Sequence, residues 1–158
     1  MNATAIQFPT LQESADPAVA DAIARLIADG ADHELNRVNV LDFSKRTGLD
    51  EERAISGFIH AARIGLFDLT WNVLCPGCGG VLDAHGTLKS LRSDEYHCGL
   101  CACGYEATVD EQVEAAFTVS PRSRRIAAHD PNSLPIWDYF KQVFWSSGVE
   151  FDETSMAA

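Results

Sequence analysis

The chain has 158 residues, 46% of them hydrophobic, and its 12 basic against 23 acidic side chains give a formal net charge of -11. That length allows one domain or two small ones, and that charge disfavours nucleic acid as a partner and a surface made to lie on an anionic membrane. No stretch approaches ~18 consecutive apolar residues, so nothing reads as a membrane span. The opening MNATAIQFPTLQES lacks the basic and apolar regions of a secretion signal, which points to the cytoplasm.

Residues 1–15 read as a flexible tail. Asp16 then offers an N-cap and Pro17 the first helical position. Val19, Ile23, Leu26 and Ile27 recur at helical spacing and Gly30 is a stop. A short second helix is predicted over VNVLDFSKRTG, with Val40, Leu41 and Phe43 turned inward. Asp50 caps a third, EERAISGFIHAARIG, whose expected apolar stripe is Ile55, Phe58, Ile59 and Ala62. Two helices joined by the tight RTGLD turn form a helix-turn-helix pattern. The period-two alternation of Phe67, Leu69, Trp71 and Val73 makes the next segment a strand. Residues 16–74 therefore read as a winged-helix-like unit.

From residue 75 to 120 the pattern turns β-rich, ending in VEAAFTVS with Val113, Ala115, Phe117 and Val119 expected on one face. Residues 121–158 hold a basic run, an aromatic helix and a tail. The helix LPIWDYFKQVFWSSG is expected to be capped by Ser133 and stopped by Gly148. Ile136, Phe140, Val143 and Phe144 would form its core side. Trp137, Tyr139 and Trp145 would be left toward solvent or a partner, a surface suited to self-association or a protein partner. The fold class is thus α+β: a three-helix winged-helix-like unit, a β-rich zinc-ribbon module with four cysteine ligands and an aromatic C-terminal helix.

All five cysteines fall between residues 75 and 103. A secreted disulfide framework spreads its thiols, whereas a cytosolic chain that clusters them binds metal more often. Cys75, Cys78, Cys98 and Cys101 give the spacing C-x2-C-x19-C-x2-C of a ribbon-type zinc site. Four thiolates leave no open coordination position, which makes the Zn2+ structural. Within the second motif, Cys98 with Cys103 at x4 is also compatible with zinc. The x2 pair is favoured because it repeats the first turn, and Cys103 stays as the alternative ligand. His85 and His97 read as bystanders. In PRSRRI, Arg122, Arg124 and Arg125 could contact an anion, although such runs are more often a solvated face.

The stretches FDLTWNVLCPGCGGVL and YHCGLCACGYEATVDEQVEAAFTVSPRSRRIAAHDP resemble a bacterial domain of unassigned function. That domain is usually found N-terminal to class III adenylate/guanylate cyclase catalytic domains. The resemblance spans roughly residues 26–149 and implies the same four cysteines as the metal set, with Cys103 outside the pattern. It implies a regulatory region of a cyclase-linked signalling protein. The chain carries neither the metal-binding aspartate pair nor the purine-selecting residues of a cyclase, so it is expected to be a fragment or a stand-alone relative and not itself an enzyme. No nucleophile–base–acid grouping is legible. The alternative is a winged-helix/zinc-ribbon DNA-binding regulator, with Arg37, Lys45, Arg46 and Arg53 as its weak basic face.

Overall fold

A computed structural model of the chain describes residues 3–90, 95–106 and 112–144. Its elements, in order, are the helices α1 (Ala3–Ser14), α2 (Pro17–Asp29), α3 (Val40–Thr47) and α4 (Glu51–Arg63), then the strands β1 (Phe67–Leu74), β2 (Val81–His85), β3 (Glu95–His97), β4 (Gly104–Glu106) and β5 (Val113–Val119), and a short helix α5 (Ile136–Tyr139). The chain is therefore mixed helix and strand. β1 lies at the centre of a three-stranded antiparallel sheet ordered β2-β1-β5, and β3 and β4 form a separate hairpin. The β1–β5 ladder runs from Phe67↔Val119 to Val73↔Val113. Every cysteine lies in the stretch of chain between these two paired strands, which also supplies β2, β3 and β4. Val38 bridges to Phe117 on the other side of β5, its N–H donating to the Phe117 carbonyl at 2.7 Å.

Local chemistry sets the helix ends. The Asp16 carboxylate accepts from the N–H groups of Ala18 and Val19 to start α2. Asn39 does the same for α3 through Leu41 and Asp42, and Gly48 ends that helix at φ 69. Asp50 accepts from the Arg53 N–H to start α4. Four aromatic rings fill the centre. Phe58 from α4 meets Phe43 of α3 at 5.1 Å, Phe67 of β1 at 5.2 Å and Phe117 of β5 at 5.4 Å between ring centroids. Such edge-on and tilted contacts each add about 0.5–1.5 kcal/mol beyond the area they bury.

Several expectations change. Residues 3–14 form a helix where a loose tail was expected. Leu11 is fully buried, and the Gln7 side-chain amide donates to the Ile64 carbonyl at 2.8 Å. Leu41 is exposed while Val40 and Phe43 are buried. On α4 the inward residues are Ala54, Gly57, Phe58 and Ala61; Ile55 and Ile59 are 40% and 51% exposed. The helix is rotated because Gly57 lets α2 come close: a Cβ at that position would lie 2.4 Å from Val19 Cγ1. On β5, Ala116 is buried beside Phe117 and Val119, and Ala115 is exposed.

The C-terminal segment also departs from a single long helix. Ser133 belongs to a 3-10 turn (Pro131–Ser133), α5 starts after Pro135 with no side-chain cap, and Phe140–Phe144 continue as a π-helix. The Asn36 side-chain amide donates to the Gln142 carbonyl and ties this segment to the loop before α3. Ile136, expected on the core side, is 69% exposed. The side chains of Val143 and Phe144, and Trp145 and Gly148 altogether, lie outside the described residues.

Gly57→Ala tests the helix contact. In an open helix the exchange stabilises by about 0.8–1.0 kcal/mol. Here the added methyl meets a buried valine, and the expected outcome is a loss of about 1–3 kcal/mol in denaturant unfolding.

Candidate metal centre

Each Cys-x-x-Cys sits at the turn of a hairpin. The first leaves β1 at Leu74 and enters β2 at Val81; the second leaves β3 at His97 and enters β4 at Gly104. Both turns carry the same backbone bonds. The Cys75 N–H donates to Gly80 O at 2.8 Å and the Gly79 N–H returns to Cys75 O at 2.8 Å. In the second turn the Cys98 N–H donates to Cys103 O at 3.0 Å and the Ala102 N–H returns to Cys98 O at 2.9 Å. Gly79 and Ala102 hold equivalent positions, both in the left-handed region, at φ 71 and φ 57.

This equivalence aligns Cys98 and Cys101 with Cys75 and Cys78. Cys103 aligns with Gly80, a position the turn uses only through its backbone. The sulfur positions follow. Cys75, Cys78, Cys98 and Cys101 bring their Sγ atoms within 4.8 Å of one another, and this set could hold a metal ion. Two close separations run between the turns, Cys75 to Cys101 at 3.5 Å and Cys78 to Cys98 at 3.6 Å. Cys75 and Cys98 are buried, Cys78 and Cys101 half-buried, and Cys103 is exposed with its Sγ 3.5 Å from the Cys101 carbonyl.

The electrostatics of the set suit a cation. Backbone N–H groups of Cys101 and Leu100 pull the Cys98 thiol below its ordinary range, against the effect of burial. Burial raises the Cys78 thiol, and its neighbours Cys98 and Cys75 add to this although the Gly80 N–H opposes it. The Cys103 N–H lowers the Cys101 thiol, but Cys75, burial, Cys98 and Cys103 outweigh it and push it up to about 12. Four sulfurs this close resist ionising together, and a divalent cation among them removes that resistance.

The remaining candidate residues lie elsewhere. His97 stacks over its partner Gly104, where a Cβ would fall 2.8 Å from the ring. His85 faces the Asp83 carboxylate at 2.9 Å. Arg124 is engaged at the end of α2: it donates to Ile27 O at 2.8 Å and pairs with Asp32 at 3.3 Å. Arg122 and Arg125 are exposed. Trp137 and Tyr139 are exposed at 56% and 39%. Sequence reasoning missed Gly77: a Cβ there would lie 3.3 Å from Cys101 Sγ and 3.7 Å from Cys75 Sγ. A glycine inside a Cys-x-x-Cys was the available signal.

The whole chain, residues 1–158, matches the model of a family described as "Family of unknown function (DUF5939)", and the chain belongs to that family. No curated protein and no solved structure gives a significant match to it.

Chelation is expected to act locally. On titration with a strong chelator, hydrogen exchange should lose protection at the amides of Cys75, Gly79, Cys98 and Ala102, while α2 and α4 stay protected. Equal loss in both regions, or none, counts against a locally metal-dependent fold.

Proposed function

We propose that the protein is a non-catalytic, zinc-binding regulatory or interaction module. The observation that carries this reading is the convergence of four cysteines from two equivalent hairpin turns. A tetrahedron with Zn–S bonds of about 2.3 Å has S–S edges of about 3.8 Å, near the 3.5 and 3.6 Å separations between the turns. Four sulfurs from two turns in a β setting favour Zn2+ over a redox dithiol. Such a metal has no position left for substrate, and its role is to hold structure, worth on the order of 10 kcal/mol in small modules.

The helical block supports a winged-helix reading. α2, the Val38 bridge, α3, α4, β1 and β5 follow the chain order of such a unit, and the β1–β5 pair stands where a wing hairpin stands. In that reading the thiol module is carried at the tip of the wing. A regulatory place beside a cyclase domain rests on the resemblance of the WNVLCPGC and VEAAFTVSPRSR stretches alone, and a cytoplasmic one on the N-terminal sequence and the clustered thiols. Ile136, Trp137 and Tyr139, exposed together on α5, are the proposed contact surface for self-association.

The DNA-binding alternative has less support. Arg53, at the start of α4, pairs with Asp16 at 3.1 Å, and Arg46 is held between Glu34 and Asp42 at 3.1 Å each. The exposed residues of α4 include Glu51, Glu52, Ile55 and Ile59, a poor face for phosphate.

Native mass spectrometry of the purified chain is expected to show one zinc per chain, lost on Cys75→Ser. A metal-free chain, or another metal in its place, overturns the zinc reading. Sedimentation over a concentration series is expected to show association that Trp137→Ala weakens; a monomer throughout removes the self-association surface.

A further inference from the structure

Cys103 is not needed as a thiol by the turn it closes. Its carbonyl accepts from the Cys98 N–H, as Gly80 does for Cys75 in the first turn without any side chain. Yet its sulfur lies at the rim of the four-thiol set. A Cβ placed on Gly77 would lie 3.3 Å from Cys101 Sγ, 3.7 Å from Cys75 Sγ and 4.0 Å from Cys103 Sγ. One exposed position thus borders three sulfurs, and because it is glycine no side chain of its own covers them there. Cys101 is half-buried where Cys75 and Cys98 are 1% and 2% exposed, so it is the more open ligand of its turn. Two separate observations coincide: a fifth thiol at a position where the first turn does without one, and an opening onto the ligand beside it.

We propose that Cys103 is an oxidation site through which a hydroperoxide opens the metal centre, by forming a disulfide between Cys103 and Cys101. This rests on the metal reading above. In the first step the Cys103 thiolate attacks the outer peroxide oxygen. The O–O bond breaks, an alkoxide or hydroxide leaves and takes up a proton, and Cys103 becomes a sulfenic acid. In the second, the Cys101 sulfur attacks the sulfenic sulfur, the S–S bond forms and hydroxide leaves to become water. Two thiols lose two electrons and the hydroperoxide gains them, ending as water and an alcohol, or as two waters for hydrogen peroxide. The ion is left with three thiolates and is released. Oxidation would then unfold the metal-bearing hairpins, which makes the site a switch for whatever the module contacts.

The test uses the full zinc-loaded chain, hydrogen peroxide and a chromogenic zinc indicator, with peptide mass mapping of the products. Zinc content before oxidant decides the metal reading by itself; a chain without zinc at that stage overturns both. With zinc present, wild type is expected to release it together with the loss of two hydrogens in the peptide holding Cys101 and Cys103. Cys103→Ser should load one zinc as wild type does and release it about tenfold more slowly. Release from Cys103→Ser at the wild-type rate overturns the proposal. So does a disulfide that maps to Cys75, Cys78 or Cys98, or a wild-type chain that keeps its zinc while Cys103 is oxidised.

Discussion

The ladder between β1 and β5 is the constraint on which the rest of the molecule depends. It joins residues near the middle of the chain to residues 40 to 52 positions later and fixes them pair by pair from Phe67↔Val119 to Val73↔Val113. One end of the ladder is inside the helical core, where Phe67 and Phe117 both meet Phe58. The other end delivers Cys75 immediately beyond β1. A one-residue slip would put Phe67 and Phe117 on opposite faces of the sheet and displace the first thiol pair as well. Core packing and sulfur placement are therefore set by one register.

This arrangement explains why a change of composition at residue 74 does not interrupt the sheet. The sequence turns from helical to glycine- and cysteine-rich there, but β1 pairs with β2 beyond it and with β5 on its other side. Among the described residues, the stretch between β1 and β5 adds only Cys75 and Cys98 to the largest fully buried side chains, while the helical block and the β1–β5 pair supply the rest. A region with so little apolar surface to bury needs another source of order, and a metal held by four thiolates is one that small modules use.

Much of this was legible in the sequence for physical reasons. Cysteine spacing encodes the turn directly, and caps such as Asp16 and Asp50 act within a few residues of themselves. What was not legible depends on partners distant in the chain. The inward face of α4 was misjudged because Gly57 carries no hydrophobic signal, although its missing side chain is what admits Val19. α1 was missed because Pro9 sits inside it and Leu11, which is fully buried, belongs to no apolar repeat. The place of Cys103 needed the backbone bonds of both turns, since x2 and x4 spacings are each acceptable to a metal.

The two turns are alike in bonding and unlike in strain. Gly79 adopts its left-handed conformation without steric cost, whereas Ala102 adopts the same one at a cost of about 1–2 kcal/mol. Half of the centre is thus preorganised and half is held in place by closure. For the proposed zinc site this implies an order of assembly, in which Cys75 and Cys78 would meet the ion first and Cys98 and Cys101 would close on it. In that reading the strained second turn would also be the half that opens first.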